Sequence, residues 1–332
     1  PTDKQASMYQ GRLAPFIELN RGSQETLPTE PDRFTREDLM EREASYGKAG
    51  FALQFMLDTT LSDADKYPLK LADLCITALN PNKGWADLAW ASGPAQIVQD
   101  VPVVGFTGDK FYRPMWFSDQ MYEFTGAVLA IDPSGRGKDE TAYAVVKMLN
   151  GYLYASQCGG FKGGYEDLTL QKIANIAKLE KVNMIVVESN FGDGMFSKLL
   201  APFINKTYPV SIEEVRHNTQ KEVRIIDTLE PVMMQHRLII DEKLIKEDYE
   251  SAPEPSYSLF YQMTRLTRAR GAIIHDDRLE ALAMAVNYWT EQMDADAESL
   301  AAQQKMDDFN GEIQRFLSQA TGSTVKDGDK WF

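Results

Sequence analysis

The 332-residue chain has only two cysteines, Cys75 and Cys158, and three histidines. Two isolated cysteines cannot build a disulfide framework, and they do not have the spacing of a zinc ligand set, so both read as buried thiols. No apolar run approaches the roughly 18 uncharged residues of a membrane span. The N-terminus lacks the charged-then-apolar layout of a signal peptide, so the cytoplasm is the expected compartment. The chain starts at Pro1 rather than Met, which reads as a piece of a longer polypeptide. Positive charge is short as well: the net charge is −14, which works against nucleic-acid binding through Lys and Arg on phosphates. Part of the acidic excess follows Glu291, however, while Arg265, Arg268 and Arg270 cluster, so the balance describes the whole chain rather than one face.

What is present fits a folded protein. Hydrophobic residues make up 43% and charged residues 25%, as in ordinary globular chains. The length predicts one substantial core and a second, smaller or less regular region. Residues 1–60 read as helical, with Thr35 and Asp38 spaced as a capping box. Residues 61–120 show no clear period and read as a linker region. From Gly126 the signal sharpens. Ala127 to Ile131 is a buried strand stopped by Asp132-Pro133-Ser134-Gly135. Ala142 to Met148 and Tyr152 to Gln157 flank Asn150-Gly151, the favoured two-residue hairpin turn. Leu170, Ile173, Ala174 and Ala177 mark one helix face ahead of a strand over Met184 to Glu188. A helix after Gly194, a strand near Val210 to Val215, a helix around Lys221 to His236 and a last helix from Asp277 to Trp289 complete a mixed α/β domain over 121–293. Residues 294–332 read as an acidic, flexible tail.

Asp132 and Glu188 end apolar strands, where side chains leave the core at the sheet rim and ligands of α/β sheets bind. Asp277 and Glu280, three apart, share a helix face, with Leu279, Leu282 and Val286 anchoring that helix. Each acid also has a plainer reading: Asp132 as a turn former, Glu188 as a cap, and Asp276 or Asp277 with Glu280 as a helix start. Their joint placement points to a site. Carboxylates without a His or Cys cluster suit two Mg²⁺ or Mn²⁺ ions, because such ions take oxygen ligands and relieve the mutual repulsion of the acids. Arg136, Lys138, Lys162, Arg265, Arg268 and Arg270 are candidate phosphate contacts, with a solvated face as the alternative for each. His275 reads either as a structural histidine or as orienting Asp277.

Several stretches carry a family resemblance: Tyr46 to Leu57, Ile131 to Thr141, Val187 to Phe196, and His275-Asp276-Asp277-Arg278-Leu279-Glu280-Ala281-Leu282. Over about Pro28 to Trp289 the sequence resembles the large terminase subunit of short-tailed bacteriophages. The resemblance implies an RNase H-like nuclease domain that cuts concatemeric phage DNA beside an ATP-driven translocase, with double-stranded DNA, the portal and the small terminase subunit as partners in the host cytoplasm. It places Asp132 and Glu188 on the family's first two metal ligands. Asp277-x-x-Glu280-Ala281-Leu282 looks like the Asp-x-x-Asp-Ala-Leu helix of related resolvases, with Glu280 one methylene longer and Asp276 as the competing ligand. Gly137-Lys138 is followed by Asp139 and lacks the first glycine of a phosphate-binding loop. No ATP hydrolysis is therefore expected, and residues 1–60 resemble the end of a translocase domain. A stand-alone resolvase or exonuclease, or a non-catalytic docking module, are the rival functions; alone, the chain is expected to be a monomer.

Overall fold

The computed structural model describes residues 66–106, 108–134, 139–189 and 194–295, together with 33–35, 38, 39, 42, 54 and 55. The chain divides into two units, Pro1–Lys66 and Tyr67–Phe332. In the first, the capping box is formed: Asp38 N–H donates to Thr35 Oγ1 at 3.2 Å and Thr35 N–H to Asp38 Oδ2 at 3.1 Å. The expected tail lies outside the described residues from 296 on, as do Arg136, Lys138 and most of the expected N-terminal helical region.

The second unit is built on strands β1 (Cys75–Thr77), β2 (Lys83–Trp85), β3 (Leu88–Ala89), β4 (Trp116–Phe117), β5 (Met121–Glu123), β6 (Gly126–Asp132), β7 (Thr141–Leu149), β8 (Tyr152–Phe161), β9 (Met184–Glu188), β10 (Ser211–Val215) and β11 (Leu238–Asp241). Its helices are α1 (Asp167–Glu180), α2 (Met195–Thr207), α3 (Lys221–Met234), α4 (Glu242–Ser251), α5 (Leu259–Arg265) and α6 (277–295). Seven strands form one sheet in the order β1-β11-β8-β7-β6-β9-β10. β6, β7 and β8 run antiparallel to their neighbours in that trio, while β9 and β10 lie parallel beside β6. This mixed order, flanked by helices, is the mixed α/β arrangement expected of the domain. The Asn150-Gly151 hairpin forms as expected, with φ of 50° and 78° at its two residues, the left-handed values that a tight turn matched to strand twist requires.

The sheet is covered on both faces because β6 and β9 are apolar up to their last residues. Alternation assigns each side chain. Leu129, Ile131, Ile185 and Val187 pack with Leu170, Ile173, Ala174 and Ala177 of α1 and Phe196, Leu200 and Ile204 of α2. Val128, Ala130 and Val186 point the other way, into a larger cluster with Ile225, Ile226 and Leu229 of α3 and Leu279, Leu282 and Val286 of α6.

The segment expected as a linker over 61–120 departs from that reading. From Tyr67 onward it belongs to the second unit. β1 joins the main sheet beside β11, and β2–β5 and β3–β4 form two small sheets. Strands of two or three residues are too short to show a period, so burial of Cys75 and Ile76 at 0% exposure is decided by tertiary packing. Gly159, Gly160 and Phe161 end β8. A Cβ on Gly160 would lie 2.2 Å from Glu140 Oε2, so the glycine admits a buried carboxylate against the strand. Both cysteines are free and buried. No helix among the described residues is long and apolar enough to cross a membrane.

Candidate metal centre

Asp132 is the last residue of β6 and Glu188 the last of β9, and Ile131 pairs with Val187 across the parallel ladder. The two acids therefore stand side by side at the same sheet edge. Each is two residues beyond a side chain that faces α3 and α6 (Ala130 and Val186), so strand alternation aims both at that layer. There Glu280, on the first turn of α6 and 0% exposed, completes a group in which one carboxylate oxygen from each of Asp132, Glu188 and Glu280 lies within 4.8 Å of the others. α6 starts here because Glu280 N–H donates to Asp276 O at 2.8 Å, and Leu279, Ala281 and Leu282 bury its inner face. Asp277 falls in a neighbouring group with Asp139 and His275. Asp276 belongs to neither group and is bound by Lys221.

Two cations that sequence reading passed over hold this centre. Lys221 Nζ is 2.5 Å from Glu280 Oε2, 2.7 Å from Asp276 Oδ1 and 3.7 Å from Asp132 Oδ2. Arg224 pairs with Glu280 Oε1 and stands 3.7 Å from Glu188 Oε1. A signal for them exists in the sequence. Lys and Arg spaced i, i+3 in the first turn of a predicted helix oppose the helix dipole, which favours acids there, so carboxylates from elsewhere must compensate them.

The electrostatics follow from crowding. Burial raises the Asp132 carboxyl well above its ordinary value; Lys221 opposes this, and Glu188 and Asp277 add to it. Asp277 is raised to about 6, first by burial and then by Asp276 and Asp139, against Lys221. Burial works against the charge of Lys221, but Asp132 and Asp276 outweigh it and push its ammonium upward. Four carboxylates (Asp132, Glu188, Asp276 and Glu280) thus share two cations, an acidic excess that suits divalent ions. The donor set is all oxygen, the chemistry that Mg²⁺ and Mn²⁺ take.

A buried network fixes the start of α6. Arg278, 0% exposed, donates from Nε and Nη2 to Glu140 Oε2 at 3.1 and 3.0 Å and from Nη1 to Asp248 Oδ1 at 2.8 Å. Asp248 also accepts from Ser258 Oγ at 2.6 Å and Leu259 N at 2.9 Å.

The candidate phosphate contacts fall into different places. Lys162 and Arg270 are exposed. Arg268 pairs with Asp227 and Glu230 at 2.7 and 3.1 Å. Arg265 donates to Val104 O at 3.0 Å and lies over the Phe106 and Tyr261 rings. Internal partners thus occupy Arg265 and Arg268.

Residues 131–238 match the family described as terminase Bacteriophage T7, Ribonuclease H-like domain. The large terminase subunit of Enterobacteria phage T3 is 45% identical over 314 residues, covering 91% of this chain and 54% of that protein. The chain therefore spans about half the length of the curated relative it matches. Among solved structures, the human cytomegalovirus terminase nuclease domain aligns at 15% identity and a TM-score of 0.39, over 51% of this chain and 86% of that one. The large terminase nuclease of thermophilic phage G20c aligns at 10% identity and a TM-score of 0.36, over 67% and 98%. No residue assignment follows from structural likenesses this distant. By its close curated relative and by the domain that residues 131–238 match, this chain belongs to the bacteriophage terminase large-subunit family and carries that family's RNase H-like domain.

Proposed function

We propose that this chain is a metal-dependent DNA endonuclease that cuts concatemeric viral DNA during genome packaging by two-metal hydrolysis of phosphodiesters. The observation that carries the reading is the convergence of Asp132, Glu188 and Glu280 from two parallel strand ends and one helix start, with oxygens within 4.8 Å. The relative from phage T3 bears the description of a terminase large subunit, which supports the same reading.

The donor chemistry fits Mg²⁺ or Mn²⁺ in two positions, held by Asp132, Glu188 and Glu280 with Asp276 and Asp277 beside them. When bound, such ions lower the pKa of a water nucleophile and neutralise the scissile phosphate. The chain's own groups prepare that place. The strand ends hold Asp132 and Glu188 in register, so the acids keep their spacing without side-chain freedom. Lys221 and Arg224 pair with the buried Glu280 and reduce the repulsion among the carboxylates. Lys162 and Arg270, exposed, are available to phosphates of double-stranded DNA. Portal, small terminase subunit, an upstream ATPase domain of the same polypeptide and the host cytoplasm complete the proposed setting.

The test is cleavage of supercoiled plasmid with Mg²⁺ or Mn²⁺ by the parent, Asp132→Asn and Glu188→Gln. We expect each variant to keep the parent's circular dichroism and to lose at least about 100-fold in rate, the equivalent of a few kcal/mol of charge stabilisation. Cutting by both variants at the parental rate overturns the assignment. A marked preference for branched over linear duplex would favour a resolvase instead.

A further inference from the structure

The loop between α5 and α6 projects an apolar side chain into solvent beside the metal centre. Among the described residues Ile274 is the most exposed large hydrophobic side chain, at 88%. Its neighbour Ile273 packs against the main core, so the chain turns one isoleucine inward and holds the next one out. Looseness does not account for this, because both flanks of Ile274 are tied down. Gly271 N–H donates to the buried Glu222 at 2.6 Å, Gln220 Nε2 donates to Arg268 O at 3.0 Å, and Arg268 pairs with Asp227 and Glu230. On the other side, His275 is stacked on Tyr257 with ring centroids 3.8 Å apart. The loop thus presents Ile274 from anchors on α3 and on the turn before α5.

Two residues further on, Asp276 shares Lys221 with Asp132 and Glu280. Two residues of chain span at most about 7 Å, the length of about two base steps along one DNA strand. A phosphate held at the centre therefore brings bases of the same duplex within reach of Ile274. The charge balance leaves room for such a contact: the chain carries a net −14, Arg265 and Arg268 have internal partners, and Arg270 is exposed in the same loop. An uncharged branched side chain gains from bases rather than from phosphates. Isoleucine is one of the residues that proteins insert between base steps from the minor groove, and an anchored loop does not have to be ordered first. We propose that Ile274 is a wedge that enters the minor groove of duplex DNA beside the cut, partly unstacks one step and so directs cleavage to steps that deform easily. The wedge rests on the nuclease reading. Pyrimidine–purine steps, TA and CA/TG, unstack most readily and are the sites it selects.

The test cuts supercoiled plasmid with Mg²⁺ or Mn²⁺ and maps the ends by sequencing, for the parent, Ile274→Ser, Ile274→Leu and Arg270→Ala. Substitution at so exposed a position removes no core packing, so each variant is expected to keep the parent's circular dichroism. The parent is expected to cut TA and CA/TG steps at least about threefold more often than their share of the plasmid. Ile274→Ser is expected to lose that bias and about tenfold in rate, and Ile274→Leu to keep both. Binding to a short linear duplex, with Ca²⁺ in place of Mg²⁺ and 2-aminopurine at a single TA step, separates the wedge from phosphate contacts. The parent should raise the 2-aminopurine fluorescence, and Ile274→Ser should not, at an unchanged dependence of affinity on salt. Arg270→Ala should keep the rise and lower the salt slope by about 1. Cutting indifferent to the step in the parent, or parental bias, rate or fluorescence in Ile274→Ser, overturns the wedge and leaves the nuclease reading standing; the isoleucine would then belong to a protein contact. A parent that cuts no DNA overturns the nuclease reading and the wedge with it.

Discussion

Arg278→Met removes the one cation of a buried network. Arg278 and Asp248 are 0% exposed and Glu140 is 3% exposed. After the change, Asp248 keeps the Ser258 hydroxyl and the Leu259 N–H, but Glu140 loses both guanidinium hydrogen bonds. Breaking a buried pair by deleting one partner costs about 3–5 kcal/mol, because the remaining charge stays desolvated. At roughly 2–4 °C per kcal/mol for a domain of this size, the melting temperature should fall by roughly 6–20 °C. Urea unfolding followed by far-ultraviolet circular dichroism, in chelator, gives the free energy, and calorimetry gives the midpoint. Adding Glu140→Gln to Arg278→Met should restore about 1–2 kcal/mol by discharging the stranded carboxylate, so the double-mutant cycle must show coupling. A loss below about 1 kcal/mol, or strictly additive single effects, refutes the account of the network as charge-compensated.

Three further outcomes follow from the same geometry. Lys221→Met leaves Asp276 and Glu280 without their 2.7 and 2.5 Å partner. The variant should be less stable than the parent in chelator and gain more in melting temperature on adding Mg²⁺; equal gains would refute the balance of charge. Asp277, raised from 3.8 to about 6, is a group whose ionisation the fold disfavours, so its penalty is absent below 3.8, grows through 6 and is complete above. Asp277→Asn should flatten the stability profile between pH 4 and 7 in chelator and gain up to roughly 3 kcal/mol at pH 7, whereas a profile parallel to the parent's counts against this. Gly151→Ala, at φ of 78° with Arg237 Nη2 3.1 Å from the new Cβ, should cost about 1–2 kcal/mol in urea unfolding at unchanged m-value. A neutral result would deny the turn its left-handed requirement.

What could be read from the sequence is what depends on local periodicity and on backbone chemistry. The strand at Ala127–Ile131, the Asn150-Gly151 turn, the α1 face of Leu170, Ile173, Ala174 and Ala177 and the anchor residues Leu279, Leu282 and Val286 each carry their signal within a few residues, and each lies where that signal puts it. Asp132 and Glu188 were visible as acids ending apolar runs for the same reason. Tertiary structure decided everything that needs two distant segments to meet. β1 and β11 are too short to declare themselves and exist as strands because each pairs with a neighbour in the sheet. The division of Glu280 from Asp277 came from the side on which Asp132, Glu188, Asp139 and His275 approach α6, which spacing along one helix cannot express. Lys221 and Arg224 gained their place only when α3 packed beside α6, since an ion pair is a property of two positions in space and a sequence records one position at a time.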